Sequence, residues 1–287
     1  MYRLFTALNS LTVDLNRKST YNKQAMKTAS FDGNLISYSV YGSGKPALVF
    51  VHGWCCNSTF WEYQVPFFEK YYTVVTLDLA GHGESGKKRD GWTMNAFGRD
   101  VVAVVEELDL IDVILIGHSM GGRVVLEAAA MLSERVIGVV GVDCFQRIDE
   151  PKPPQEVIEQ NLASLRTALR SRIMEFSWAV ATEKSSPEQV EHIIEILSSA
   201  DPEMAAESTR GLINHDSIGA FGKLTIPVRC ISAQYGPEDF EATERATFDF
   251  KADYMPGYSH FVMMEDPDTF NDILDGYVRE FRSLSSD

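Results

Sequence analysis

Apolar runs along the chain predict a sheet whose strands are buried on both faces. The runs show none of the alternation typical of a half-exposed strand. They lie at Ala47–Val51, Tyr72–Leu77, Val113–Gly117 and Val136–Val142. Ahead of them, residues 28–31 and 35–41 flank Asp32-Gly33, a pattern typical of a β-hairpin.

Helical patterns separate these runs. Thr93 can cap a segment in which Val101, Val104, Val105 and Leu108 share one face, and Gly121–Leu132 is apolar at helical spacing. The chain ends in a helix that opens at Asp266-Pro267 and carries an apolar stripe. Strands that alternate with helices predict an α/β fold with a mostly parallel sheet flanked by helices.

The alternation of predicted strands and helices is interrupted by a segment in which only helices are predicted. Val157–Phe176, Pro187–Leu197 and Glu203–Ile213 are predicted helices, with no strand between them. Residues 146–222 are therefore interpreted as an inserted helical cap, residues 28–145 and 223–287 as the core, and residues 1–27 as an N-terminal extension. After the insertion the pattern predicts strands at Val228–Ser232 and Ala252–Met255, with a helix at Glu238–Phe248 between them.

Composition and charge narrow the possible partners. The 287 residues are 45% hydrophobic, which is typical of a globular protein, and the net charge is −15. An acidic surface repels nucleic acid and anionic membranes. No run of 18 apolar residues and no signal-like segment occurs, and four cysteines in so long a chain do not suggest a disulfide framework. We expect a cytoplasmic protein, either a monomer or a homodimer.

The candidate chemistry begins at Gly117-His118-Ser119-Met120-Gly121. This G-x-S-x-G motif follows a predicted strand and opens a predicted helix, which is the context of a nucleophile elbow. Glycines two residues before and after the serine are needed because a Cβ atom there would meet neighbouring backbone. The helix N-terminus behind Ser119 favours developing negative charge.

The sequence resembles the α/β-hydrolase superfamily, in particular serine-nucleophile, esterase-like members with a helical cap. The similarity spans roughly residues 30–282 and rests on the order strand, His52-Gly53-Trp54, strand, elbow, cap and late histidine. It implies that Ser119 is the nucleophile and that His260 is the general base. It also implies that the backbone amides of Trp54 and Met120 form the oxyanion hole.

The acid of the implied triad is open at the level of sequence. The usual family position, shortly after the Val228–Ser232 strand, carries Gly236 instead of an aspartate. Asp143, at the end of the preceding strand, occupies an alternative position used by some members, and we favour it. Glu238 or Asp239 could serve if the loop is longer, although both also suit the first turn of a helix.

No metal or other cofactor is expected. Residues 81–86 match G-x-G-x-x-G but run into a basic stretch, Lys87-Lys88-Arg89, where a dinucleotide site needs a helix. With Asp78, this run is interpreted as a structural loop. His52, Cys55 and Cys56 have no second ligand pair at metal-binding spacing.

These features predict a carboxylic ester hydrolase that acts on a small, partly apolar substrate through an acyl-enzyme. Three alternatives stay open at this point. One is hydrolysis of a carbon–carbon bond in a ring-cleavage product, as similar capped members perform. Another is a small-molecule receptor that keeps the triad, and the third is a scaffold whose triad is defective.

Overall fold

The computed structural model describes residues 25–234 and 240–285 of the chain. Within these residues, eight strands form one sheet. They are β1 (Met26–Ala29), β2 (Leu35–Tyr41), β3 (Ala47–Val51), β4 (Thr73–Leu77), β5 (Val113–His118), β6 (Val136–Val142), β7 (Val228–Gln234) and β8 (Phe250–Pro256). Every strand expected from the sequence pattern is present, although several ends are displaced by one or two residues.

The sheet has the order β1-β2-β4-β3-β5-β6-β7-β8. The β1–β2 and β2–β4 pairs are antiparallel, and the remaining pairs are parallel. In register, Val51 of β3 lies beside Gly117 of β5. The prediction of a mostly parallel α/β sheet is thereby confirmed, and the C-terminal ends of β3, β5 and β6 meet at one edge.

Helices cover both faces of the sheet. They are α1 (Val65–Phe68), α2 (Met94–Glu107), α3 (Met120–Met131), α4 (Gln155–Val180), α5 (Pro187–Leu197), α6 (Pro202–Ile213), α7 (Ser217–Phe221), α8 (Glu241–Ala246), α9 (Val262–Glu265) and α10 (Pro267–Leu284), with a short 3-10 helix at Ser58–Trp61. Thr93 and Asp266 cap α2 and α10 through their side chains, as their positions indicated.

The strand β3 shows why its sequence has no alternation. Leu48 and Phe50 pack into the core on one face of the sheet, and Val49 and Val51 pack into the core on the other. All four side chains are fully buried. A strand covered by helices on both faces must be apolar at every position.

Two local predictions need correction. The first strand of the hairpin begins at Met26 and ends at Ala29, because Ser30 N already donates to Asn34 O across the turn. The helix expected at Glu238–Phe248 is shorter, since α8 spans Glu241–Ala246 and Thr247 is already extended on the way into β8. The first two residues of that predicted helix, and residues 1–24 of the predicted N-terminal extension, lie outside the described part of the chain.

Residues 146–222, called the helical insertion below, contain α4, α5, α6 and α7 and no strand. Buried apolar residues of α4, among them Ile158, Leu162 and Leu169, pack with α5 and α6. The helix α4 is broken at Ala168, whose φ and ψ are −144° and 38°. Among the helices of the described residues, none is both long enough and apolar enough to cross a membrane.

Candidate active site

The elbow at the end of β5 presents Ser119 at the C-terminal edge of the sheet. Ser119 has φ 53° and ψ −116°, an unfavourable conformation for a residue with a side chain. Its backbone is held by hydrogen bonds from Ser119 N to Val142 O (2.9 Å) and from Gly122 N to Ser119 O (3.0 Å). Neighbouring structure therefore holds the strained turn and leaves the side chain partly exposed.

Both elbow glycines are required by close backbone contacts. A Cβ atom on Gly117 would lie 2.3 Å from Gly121 O, and one on Gly121 would lie 2.6 Å from the carbonyl oxygens of Val51 and His52. These distances are far shorter than any allowed contact. The structure therefore shows the steric constraint that the motif indicated, because neither position has room for a side chain.

His260 and Asp143 are brought together although 117 residues separate them. His260 Nδ1 lies 2.5 Å from Asp143 Oδ2. A carboxylate only accepts, so Nδ1 carries the proton and Nε2 of a neutral ring is left as an acceptor. This is the tautomer that a general base needs.

The base also lies against the elbow. The ring of His118, the residue before Ser119, lies 4.7 Å from the ring of His260, and His118 Nε2 donates to the backbone carbonyl of His260 (2.9 Å). The Ser119 hydroxyl makes no hydrogen bond with the described residues. Catalytic hydrogen bonds of this kind often form only when substrate is bound.

Asp143 is held by contacts that the sequence did not reveal. Its Oδ1 accepts from Ala233 N (2.9 Å) and from Ser232 Oγ (3.2 Å). Gln146 Nε2 lies 3.3 Å from the same oxygen and donates to Ser232 Oγ at 2.7 Å. No sequence pattern could join Gln146 to Ser232, because they are 86 positions apart in the chain. The contacts leave Oδ2 to face His260.

Asp143 is thus the carboxylate that contacts His260 within the described residues. The alternatives Glu238 and Asp239 lie outside those residues. Asp143 has φ 46°, so its backbone also departs from ordinary strand geometry as the chain leaves β6. This turn aims the side chain along the sheet edge.

Two backbone amides near the same edge have no acceptor among the described residues. Within residues 25–234 and 240–285, neither Trp54 N nor Met120 N donates to another group. Met120 begins α3, where the first amides of a helix have no intrahelical partner. A Cβ on Gly53 would lie 2.8 Å from His118 Nδ1, so the loop that carries Trp54 N packs directly on the elbow.

Comparison with known proteins identifies the family of this chain. The sequence model of the Alpha/beta hydrolase family matches residues 48–273, which include the elbow, Asp143 and His260. The chain belongs to the alpha/beta hydrolase family.

The proteins whose sequences are similar to this chain include several kinds of enzyme. The 3-oxoadipate enol-lactonase 2 of Acinetobacter baylyi is 25% identical over 258 residues, which are 86% of this chain and 94% of that protein. A non-heme haloperoxidase of Rhodococcus erythropolis is 43% identical over 96 residues, about a third of either chain (33% and 34%). The first similarity covers almost the whole fold, whereas the second covers one part of it.

Solved structures of alpha/beta hydrolases share the fold. An esterase from Thermogutta terrifontis superposes with a TM-score of 0.79 at 24% identity, covering 90% of this chain and 99% of the esterase. A bromoperoxidase from Bacillus anthracis gives a TM-score of 0.78 at 24% identity, covering 89% and 99%. Similarity at this identity supports the architecture described above.

In this hydrolase, two buried histidines hold the loop that carries Trp54. His52 donates from Nδ1 to Gly53 O (2.8 Å) and accepts from Leu79 N at Nε2 (3.0 Å). His82 donates from Nδ1 to Ala80 O and accepts from Cys55 N at Nε2 (3.3 Å). This supporting role of His82 could not be predicted from the sequence, because the chain offers no local pattern for it.

These contacts also bear on whether His52, Cys55 and Cys56 could bind a metal ion. Both ring nitrogens of His52 are occupied by backbone groups, so neither is available as a ligand. Burial raises the pKa of the Cys55 and Cys56 thiols, which disfavours the thiolate that binds metal. Residues 81–86 form a loop around Asp78, whose carboxylate accepts from Ser58 N and Glu84 N. This loop is structural, as interpreted from the sequence.

The helical insertion is bonded to both loops of the candidate site. Trp54 Nε1 donates to the Ala205 carbonyl of α6 (3.0 Å). Thr182 Oγ1, after α4, donates to Gly257 O (2.9 Å) in the segment before His260. Phe176 of α4 meets His260 edge to face with ring centroids 5.8 Å apart. The insertion therefore contributes an apolar wall beside the imidazole.

Acid is expected to destabilise the fold progressively as the pH falls below about 6.5, and for His82 the effect continues to about pH 3. Burial lowers the pKa of His52 and of His118, and it lowers the pKa of His82 to about 3. In the unfolded chain these rings bind a proton near pH 6.5, so the unfolded state binds more protons and is favoured as the pH falls. Each ring contributes up to about 1.4 kcal/mol per pH unit. Urea unfolding at a series of pH values measures this slope.

Two variants separate this effect from general acid sensitivity. His82→Gln is expected to reduce the slope, because one proton-binding group is removed from the unfolded state. Gln160→Ala, at an exposed position of α4, removes no titratable group, so it is the control and is expected to leave the slope unchanged. An unaltered slope in His82→Gln would contradict the assignment of a buried neutral ring.

Proposed function

We propose that this protein is a carboxylic ester hydrolase in which Ser119, His260 and Asp143 form the catalytic triad. The observation that carries the proposal is the Asp143–His260 hydrogen bond, made beside His118, the residue that precedes the serine of a nucleophile elbow. The free amides of Trp54 and Met120 support it, because acyl transfer needs donors for an oxyanion. Similarity to an enol-lactonase also supports it, since a lactone is a cyclic ester.

The proposed reaction has two acyl-transfer steps. His260 Nε2 takes the proton of Ser119 as Oγ attacks the ester carbonyl, and the Trp54 and Met120 amides bind the resulting oxyanion. The carbon–oxygen bond to the alcohol then breaks, and His260 gives its proton to the leaving oxygen. Water attacks the acyl-enzyme in the same way, so that an acid and an alcohol are the products and no cofactor takes part.

Each remaining residue has one task in this scheme. Asp143 orients the His260 ring and stabilises the cation that forms during each step. The helical insertion, which we propose acts as a cap domain, keeps water from the acyl group through apolar residues such as Phe176. A substrate that is small and partly apolar suits this wall.

A labelling experiment tests the proposal. A fluorophosphonate probe is expected to label the wild-type protein at Ser119 and to leave Ser119→Ala unlabelled, since labelling needs nucleophile, base and oxyanion donors together. A panel of short acyl 4-nitrophenyl esters is expected to be hydrolysed, and a dienoate from ring cleavage in the same panel reports carbon–carbon hydrolysis. Turnover of the dienoate alone would favour that alternative. Labelling of the alanine variant would refute the triad.

A further inference from the structure

The cleft beside Ser119 is lined by a guanidinium, that of Arg123, for which the described residues provide no ion pair. This cleft is about 640 Å³ in volume, within the range of small-ligand sites. It lies between the start of α3, the loop that follows β6, and the segment that joins α6 to α7. Ser119, Met120 and Asp143 are among its lining residues, so the cleft adjoins the nucleophile.

The acidic groups of the cleft are already engaged. Four carboxylates line it, and each has a partner that satisfies its charge or its lone pairs. The pairs are Asp143 with His260 (2.5 Å), Asp149 with Arg245 (3.6 Å), Glu150 with Arg147 (3.1 Å) and Asp216 with the backbone amide of Gly219 (2.9 Å). None of the four carboxylates is engaged with Arg123, the basic residue nearest to Ser119 in sequence.

Arg123 is the exception among the arginines that line the cleft. It lies in the first turn of α3, and it lines the same cleft as Ser119. Its side chain is half-buried, and no carboxylate within the described residues forms an ion pair with it. A guanidinium without an ion pair in a partly buried cleft attracts an anion strongly.

Arg123 shares the cleft with His215, and both residues line it. His215 is held by Glu127 (3.0 Å) and Ser217 (3.1 Å). Burial lowers the pKa of His215, and the positive charge of Arg123 acts in the same direction.

We infer that Arg123 binds a carboxylate of the substrate and so selects esters that carry a negative charge at one end and an acyl carbonyl at Ser119. This inference rests on the proposed ester hydrolysis. The planar guanidinium matches a carboxylate through two parallel hydrogen bonds, which fixes both position and orientation. The protein as a whole has a net charge of −15 and repels anions, so a local cation is needed to accept one.

The first test compares two esters of equal length. Mono-4-nitrophenyl adipate carries a carboxylate where 4-nitrophenyl hexanoate has a methyl group. The wild-type enzyme is expected to prefer the adipate ester by about 10- to 100-fold in kcat/KM, the value of a charge-assisted hydrogen bond. Raising the salt concentration from about 0.02 to about 0.5 M is expected to weaken only the adipate reaction.

Variants assign the preference to one side chain. Arg123→Gln is expected to reduce the preference to less than about threefold, and Arg123→Lys is expected to retain part of it. Arg147→Gln is the matched control, because Arg147 lines the same cleft but is already paired with Glu150. Equal rates for the two esters in the wild type, or an unchanged preference in Arg123→Gln, would overturn the inference.

A binding measurement separates this inference from the proposed function. The Ser119→Ala variant is expected to bind the adipate ester at least about tenfold more tightly than the hexanoate ester by calorimetry, and Ser119→Ala with Arg123→Gln is expected to lose the difference. Tight adipate binding without turnover by the wild type would refute ester hydrolysis alone. Hexanoate turnover with equal binding of both esters would refute the role of Arg123 alone.

Discussion

Ser119→Ala is expected to lower kcat/KM for an activated ester by roughly 10⁴- to 10⁶-fold, the range seen when a serine nucleophile is removed from a triad. The loss follows because no other described hydroxyl occupies the elbow between the free amides and the Asp143–His260 pair. Initial rates with 4-nitrophenyl butyrate measure it. Thermal unfolding of the variant is expected to match the wild type, since the side chain makes no hydrogen bond with the described residues.

A second variant at the same position gives an independent check. Ser119 has φ 53°, where glycine is free of strain, so Ser119→Gly is expected to be as inactive as the alanine variant and more stable by about 1 kcal/mol. Ester hydrolysis that persists in both variants would show that another group is the nucleophile.

Asp143→Asn is expected to lower kcat by roughly 10³- to 10⁴-fold at neutral pH. An amide at this position can donate to His260 Nδ1, which favours the wrong tautomer and removes the charge that stabilises the imidazolium. The carbonyl oxygen of the new side-chain amide can still accept from Ala233 N, so the fold is expected to survive. The measurement is steady-state kinetics together with circular dichroism.

The controls for this prediction are the two other acids considered from the sequence. Glu238→Gln and Asp239→Asn are expected to change kcat by less than about threefold, because Asp143 already contacts His260. A large loss in either of them, combined with a small loss in Asp143→Asn, would reassign the acid of the triad.

Prediction from sequence succeeded best where the cause is local. The serine of the elbow could be located because the turn needs Gly117 and Gly121 at fixed spacing, and the structure shows the backbone contacts that demand them. The strands could be located because burial on both faces leaves apolar runs. Helix ends were less accurate, as α8 shows, because the path into β8 ended that helix early.

The supporting contacts that the sequence did not predict are made between distant parts of the chain. The support of Asp143 by Gln146 and Ser232, and of the Trp54 loop by His82, joins segments that are far apart in the chain or carry no shared pattern. The absence of an ion pair at Arg123 among the described residues is likewise a property of the assembled cleft. It can be seen only when the neighbouring carboxylates and their partners have coordinates.

The sequence alone was sufficient to predict the sheet, the elbow and the position of its serine. These features follow from side-chain periodicity and from short-range backbone sterics. The choice of Asp143 as the partner of His260 required the folded chain. The two side chains lie at the ends of separate segments, and their 2.5 Å contact depends on how β6, β7 and the loop after β8 pack at one edge. Packing of this kind depends on many contacts between residues that are distant in the chain, so no local sequence pattern predicts it.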